Sequence, residues 1–413
     1  MLNPLPASLS AGLLTLSTLF PPSTARYAFN FPQTLHPGPI TADFLTPSLD
    51  QSDLDAPKFS RANANASSFD WWHFDAISAA NPNASVAITF SNAGPVGYPL
   101  SFPNVSYLTD NDLTEGTERD NDTESRGSLW AHLWVTFPDG RSFSHDMAVE
   151  NARMSGAGDS SIAIWHGAGG WMGSEEGYEL TLEIPGSGEV VAPEVVVSGR
   201  ISLERITEPH SPCSTKANFS TSLGLGEEGL GWVSILPDAI ATVDIAVNGE
   251  RLAFDGYGSH DKIWSSHPFT ETTKSLTRGR AHLGLYSLLW LSYTPLLQSE
   301  SEGSGTDTPG EEIVSAFLAR DGESVSAGCA PRSVTIRPGT EQTEGGLVSG
   351  FQVGIPGAAI SVATDVFVQD GIGGDGNGRV GHVRWNGRAR GVVDGDEAVA
   401  EEDGVAIFER FEY

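Results

Sequence analysis

Two stretches of the chain concentrate side chains that can donate hydrogen bonds, accept them or shield charge. The first reads Phe69-Asp70-Trp71-Trp72-His73-Phe74-Asp75 and the second Phe254-Asp255-Gly256-Tyr257-Gly258-Ser259-His260-Asp261-Lys262-Ile263-Trp264. On an extended strand, alternate side chains face opposite ways. Asp70, Trp72 and Phe74 therefore share one face, and Trp71, His73 and Asp75 the other, so each face joins aromatic surface to a carboxylate. In the second stretch small residues let backbones approach closely, and Tyr257, Ser259, His260 and Asp261 bring four hydrogen-bonding groups within five positions. Such groups suit the polarisation of a substrate carbonyl inside an aromatic-walled pocket. A Trp-rich sheet core with turn-capping Asp residues, and a purely structural hydrogen-bond network, remain open for the same residues.

Motifs for other chemistry are missing. The chain has no Gly-x-Ser-x-Gly elbow, no P-loop and no His-Glu-x-x-His, and its ten histidines are scattered, so no metal site is argued. Two stretches, Gly224 to Gly229 and Gly371 to Gly376, match G-x-G-x-x-G. A dinucleotide site needs that loop between a strand and a helix. No helical pattern follows either one, so both are read as turns and no cofactor is expected.

The elements that would position these residues are strands. Forty-seven Gly and 25 Pro punctuate the 413 residues, and short runs rich in Val, Ile, Phe, Tyr or Trp end in Gly, Pro, Asn or Asp clusters. Residues 27–68 read as irregular. Strands are expected at 71–77, 85–91, 128–136, 160–165, 177–184, 194–205 and 232–248, the last ending on the hairpin signal Asn248-Gly249. A second group starts at Arg251 and includes 281–293, 313–319, 333–336, 350–353, 358–368, 378–385 and 404–411. The pattern predicts an all-β chain with one domain over 26–250 and another over 251–413, the boundary falling near 245–255.

Fifty-three acidic against 23 basic residues leave a net charge of −30, which repels phosphate backbones and argues against nucleic acid as a partner. The acidic runs 110–124, 300–312 and 394–403 read as solvated loops. Residues 1–25 carry an apolar run, Ala11 to Phe20, before Pro21-Pro22-Ser23-Thr24-Ala25, which reads as a candidate signal peptide although no basic segment precedes it. Sequons at Asn65, Asn83, Asn104, Asn121 and Asn218 would matter only in the secretory pathway, so secretory and intracellular locations both stay open. Cys213 and Cys329 would pair in the former or remain buried thiols. No run reaches the ~20 apolar residues that span a bilayer, and stable membrane insertion is not expected.

The two aromatic-acidic stretches, in this order and about 180 residues apart, resemble the lipocalin-like hydroxyneurosporene synthase superfamily, whose members carry Trp-Trp-Tyr-Phe-Asp-like and Gly-Tyr-His-Asp-His-Asn-Trp-like segments. Within it the chain is similar to the fungal Diels–Alderases encoded beside polyketide–peptide synthases, a likeness running from about residue 60 to the closing segment Gly404 to Phe411. His73 replaces the usual Tyr, and Lys262 and Ile263 stand where related hydratases have His and Asn, which disfavours alkene hydration. The resemblance implies a β-sandwich-like N-terminal domain packed on a lipocalin-like β-barrel, with an apolar pocket between them.

It also implies a stereoselective [4+2] cycloaddition of a polyene made by a polyketide synthase–nonribosomal peptide synthetase. The product would be a decalin tetramic acid or a cytochalasan-type isoindolone. That reaction transfers no group; the protein contributes by holding diene against dienophile and excluding water. Expected substrate-binding residues are Asp70, Trp71, Trp72, Asp75, Tyr178, Trp232, Tyr257, Trp264, Arg384 and Trp385. Expected catalytic residues are Ser259, His260, Asp261 and Arg388, with Ser259, His260, Arg384 and Arg388 as donors and the Arg pair meeting an acidic head group. A non-catalytic carrier of a hydrophobic metabolite and a related polyene isomerase or hydratase stay open beside this reading.

Overall fold

A computed structural model describes residues 26–97, 128–184, 195–215, 217–226, 229–297, 308–338, 350–370, 382–393 and 404–413. The candidate leader, the second G-x-G-x-x-G, Asn104 and Asn121, and most of the acidic runs lie outside these residues. The chain is nearly all β, as the punctuation predicts. The first sheet contains β1 (Tyr27–Pro32), β2 (Phe69–Ser78), β3 (Ser85–Ala93), β4 (Leu129–Thr136), β5 (Ser142–Ala148), β6 (Asn151–Ala157), β7 (Ser160–Trp165), β8 (Gly169–Ser174), β9 (Gly177–Ile184), β10 (Val197–Arg205), β11 (Gly224–Leu225), β12 (Leu230–Val247) and β13 (Glu250–Ser265). The second contains β14 (Thr273–Leu283), β15 (Tyr286–Leu297), β16 (Thr308–Pro309), β17 (Ile313–Arg320), β18 (Glu323–Gly328), β19 (Thr335–Pro338), β20 (Gly350–Ile355), β21 (Ala358–Asp370), β22 (His382–Val393) and β23 (Gly404–Glu412).

All pairings are antiparallel. The first sheet runs β1-β6-β7-β8-β9-β10-β12-β13-β2-β3-β4-β5 and the second β18-β17-β15-β14-β23-β22-β21-β20-β19. The stretch Arg251 onward, expected to open the second domain, pairs into the first sheet as β13, between β12 and β2. The reason is local: Asn248 and Gly249 both take positive φ, 51° and 85°, the geometry of a two-residue hairpin turn, so β13 must fold back on β12. The change of sheet falls at residues 266–272, which hold a short helical turn, Phe269–Thr272. Two further differences arise the same way. The run 281–293 is broken by the turn at Gly284 (φ 57°) into β14 and β15, and residues 27–32, read as irregular, form the edge strand β1. The first G-x-G-x-x-G opens on β11, whose Gly224 and Leu225 pair antiparallel with Gly231 and Leu230 of β12, with no helix after it among the described residues.

Burial along the strands shows where the sheets meet. Strands with one wet face alternate, as β7 does with Ser161, Ala163 and Trp165 inward. By contrast every residue of β2, β3 and β4 is buried, as are the first ten of β12. These segments are covered on both faces: one by the interior of the first sheet, the other by the second sheet. Three cores follow. Trp72, Phe74, Trp165, Trp171 and Tyr178 fill the first sheet, and Trp290, Phe351, Trp385 and Phe408 the second. Trp71, Trp134, Trp232, Leu289, Leu291 and Phe411 lie in the seam between them. A disulfide, Cys213–Cys329, joins the segment after β10 to the end of β18 and so ties the two halves covalently.

Candidate active site at the seam

The register of β2 on β13 sets Asp75 opposite Ser259, His73 opposite Asp261 and Trp71 opposite Ile263. Odd-numbered residues of both strands therefore face the second sheet. Gly258 sits between them because a Cβ there would come within 2.3 Å of Leu203 and 2.7 Å of the Asp75 carbonyl. From the other side, β14 sends Arg278, Arg280 and His282, β23 sends Glu409, and β22 sends His382 and Arg384.

These groups meet as a buried charge network. Arg280 donates from Nε and Nη2 to Asp75 Oδ1 at 2.9 and 2.6 Å, and Ser259 Oγ donates to the same oxygen at 3.0 Å. Arg278 donates to Asp261 Oδ2 at 2.7 Å and, from Nη2 and Nε, to Glu409 Oε2 at 2.6 and 3.0 Å. His73 Nδ1 meets Thr89 Oγ1 at 2.8 Å, while its Nε2 stands 3.7 Å from Asp75 and 3.9 Å from Glu409. Farther along, Asn386 Nδ2 donates to Ser85 and Thr136 at 2.7 and 3.2 Å across the seam.

Burial alone would push both carboxyls up, but the Arg280 charge holds Asp75, and the Arg278 charge holds Glu409, well below the usual carboxylate range. Burial, reinforced by Arg278, pulls His73 down, and burial takes His382 to about 3, so both rings stay neutral at pH 7. Arg384 is the exception to this pairing. It is 2 % exposed, and neither Nε, Nη1 nor Nη2 makes a hydrogen bond among the described residues. Burial lowers its pKa, against the pull of Glu409 and Asp75. Two cavities flank the network. One, about 20 Å³, is lined by Asp75, Ser259, Asp261, Arg278, Arg280 and Glu409 among others; the second, about 10 Å³, lies by Trp71, His73, Trp134, His382 and Phe411. Neither holds more than a water molecule, so the open apolar pocket expected between the two halves is not present at the seam among the described residues, where buried ion pairs fill the space instead.

The seam thus brings together Asp75, Ser259, Asp261, Trp71 and Arg384 of the expected site, with Tyr257 half-buried at its outer end. Arg388 is half-buried on the same face of β22 as Arg384. Trp232 belongs to the seam core, and Trp385 points into the second sheet, stacked on Phe408 at 4.7 Å. Asp70, Trp72, Tyr178, His260 and Trp264 lie on the opposite face, inside the first sheet. There Asp55, from the short helix Gln51–Asp55, accepts from His260 Nε2 (2.9 Å), Tyr178 Oη (2.8 Å), Ser161 Oγ (2.5 Å) and Gln51 Nε2 (2.9 Å). His260 Nδ1 meets the His73 carbonyl oxygen at 2.9 Å, and its ring stacks on Phe74. Lys262 is ion-paired with Asp70 and lies over Trp72; burial drops it to about 7 despite Asp70. His260 therefore backs β2 from behind and does not enter the seam.

Arg278, Arg280, His282, Asp238 and Glu409 were not singled out from the sequence. A signal was present: Arg278-Gly279-Arg280-Ala281-His282 alternates ionisable and small residues on a strand. That pattern marks one polar face, here turned toward buried carboxylates.

This architecture, two curled antiparallel sheets closed on a charged seam, also matches known proteins. Residues 102–334, more than half of the chain, match the Diels-Alderase-like family. The chain belongs to that family and is an enzyme of its pericyclase type. It is 29 % identical over 294 residues to the quinolone epoxide rearrangement protein asqO of Emericella nidulans, covering 71 % of this chain and 69 % of that one. It is 27 % identical over 183 residues to the Diels-Alderase ucsH of Acremonium sp, covering 41 % and 43 %. The crystal structure of CghA with Sch210972 superposes with a TM-score of 0.62 at 14 % identity, covering 93 % of this chain and 98 % of that one, and so shares the fold. Among the described residues no helix is long and apolar enough to cross a membrane.

Proposed function

We propose that the enzyme performs a stereoselective intramolecular [4+2] cycloaddition at the seam, on a polyene released by a polyketide synthase–nonribosomal peptide synthetase. A decalin tetramic acid and a cytochalasan-type isoindolone both fit this description. One observation carries the reading: a buried guanidinium, Arg384, with no hydrogen bond among the described residues. Desolvating a cation without partners is costly, and an acidic head group such as a tetramic acid enolate would offset that cost through paired N–H···O bonds. Arg388, farther along the same strand face, would meet the head group on its way in.

Trp71, Trp134, Leu289 and Phe411 supply apolar surface in the same seam. Folding the chain back on itself there converts a rare near-attack conformer into the prevailing one, which accounts for several kcal/mol. A hydrogen bond from Ser259 or Arg280 to the carbonyl conjugated with the dienophile adds about 1–3 kcal/mol at the transition state. The seam cavities have room for no more than a water molecule, so this reading requires the two sheets to part to admit the polyene. The test is to feed a linear polyenoyl tetramic acid to the purified protein. Faster cyclisation and a single dominant stereoisomer are expected; a rate and isomer ratio equal to buffer would defeat the proposal.

A second reading is acid-assisted rearrangement of an epoxide, the activity named for asqO. The observation favouring it is a seam built from ionisable groups and not from hydrocarbon alone.

A further inference from the structure

The outer end of the seam holds a cluster that cycloaddition does not need. His282 Nδ1 lies 2.7 Å from Asp238 Oδ2. Asp238 is itself fixed, accepting from Ser287 Oγ at 2.5 Å and from the Ala239 N–H at 3.1 Å. The imidazole stacks on the Tyr257 ring, centroids 3.5 Å apart and planes at 13°. With Asp238 accepting from Nδ1, the working nitrogen is Nε2, which makes no hydrogen bond among the described residues. The ring is 8 % exposed and Tyr257 half-buried, so the cluster borders solvent where the deeper pairs do not. Burial and the Asp238 charge raise the Tyr257 pKa, which keeps its hydroxyl a donor.

A carboxylate that orients one imidazole nitrogen and leaves the other free is the arrangement of a general acid–base pair. The arginines of the seam cannot serve, since guanidinium keeps its proton, and burial keeps His73 and His382 neutral at pH 7. We propose that His282, positioned by Asp238, is the proton donor and acceptor of an epoxide rearrangement; the assignment rests on the second reading above. Protonated Nε2 gives its proton to the epoxide oxygen as the C–O bond to the more substituted carbon breaks. A neighbouring group migrates with its electron pair to that carbon. The migration leaves a protonated carbonyl, whose O–H proton returns to Nε2. The product is an isomer of the substrate and the enzyme ends in its starting state. The Tyr257 hydroxyl lies beside the same ring as a second donor to the oxygen.

The charged and titratable groups around His282 are Asp238 on β12, Tyr257 on β13 and Arg280 on its own strand, with Asp75 of β2 beyond Arg280. The experiment uses the full chain and a quinolone bearing an alkyl epoxide, with isomer formation followed from pH 5 to 9. The wild-type rate should depend on pH across this range. His282→Gln should lower kcat about 100-fold or more with little change in KM and flatten that profile. His282→Asn keeps an amide nitrogen near the Nδ1 position to hold Asp238 but has nothing at Nε2. It should melt like wild type and be as inactive as His282→Gln. A wild type that leaves the epoxide at the buffer rate would remove the epoxide reading and this assignment together. A wild type that turns it over while His282→Asn does so equally, with the same pH profile, would overturn the assignment alone.

Discussion

Arg280 reaches across the seam to grip a single oxygen of Asp75, with Nε at 2.9 Å and Nη2 at 2.6 Å. Neither residue has solvent to fall back on: each is under one-tenth exposed. The second nitrogen also donates to the Tyr257 carbonyl at 3.0 Å, so one side chain clamps two strands of the first sheet. Arg384, on β22, is just as buried but makes no hydrogen bond among the described residues. The contrast between these two arginines organises the predictions.

Removing Arg280 should be severe. Arg280→Met leaves Asp75 charged, buried and short of its main partner, a change that costs about 3–5 kcal/mol. Urea denaturation should show that loss, and adding Asp75→Asn should recover a large part of it. Additive losses would mean that the pair is not coupled.

Arg384→Met should behave in the opposite way. With no hydrogen bond to lose and a buried charge removed, the melting temperature should hold or rise. Cyclisation of the polyenoyl tetramic acid should nevertheless fall toward the buffer rate. A stability loss like that of Arg280→Met, with activity intact, would make Arg384 a structural cation.

The seam should weaken in acid. Burial pulls His210 and His382 to about 3 in the folded chain, against about 6.5 when unfolded. The unfolded state therefore binds more protons below pH 6.5, and the stability these neutral rings contribute at pH 7 drains away as pH falls toward 3. Asp75 and Glu409, depressed in the fold, add a loss in the same direction below about pH 4. Urea midpoints between pH 7 and 5 should fall, and His382→Gln should flatten the slope. A midpoint that stays constant over this range would contradict the neutral, buried assignment.

The disulfide should hold the halves together. Cys213 and Cys329 are 116 residues apart, and closing a loop of that size restricts the unfolded chain by at most about 5 kcal/mol. Dithiothreitol, or the Cys213→Ser/Cys329→Ser pair, should lower the melting temperature. An unchanged melt in both cases would show that the link adds nothing to stability.

Much of this was legible from the residues. Gly and Pro punctuation marks a strand chain, and β7 and β9 begin and end where the pattern predicts. The split of Phe69 to Asp75 into two faces follows from strand alternation, and Trp71, His73 and Asp75 do share one side. The hydrogen-bonded face of the second stretch was also in reach, since Ser259 and Asp261 differ by two positions.

What the chain alone did not decide is which face meets the other sheet. Both faces of Phe69 to Asp75 carry aromatics and a carboxylate, so a strand of that composition fits either way. Only the register of β13 on β2 and the docking of β14 and β23 send Asp75 to Arg280 while His260 turns inward to Asp55. The pairs Arg278–Glu409 and Arg280–Asp75 join residues 131 and 205 positions apart, and no local propensity encodes such a meeting. Strand alternation is a property of the backbone and can be read from sequence. The choice between two similar faces is a property of packing, set by which carboxylates find buried cations.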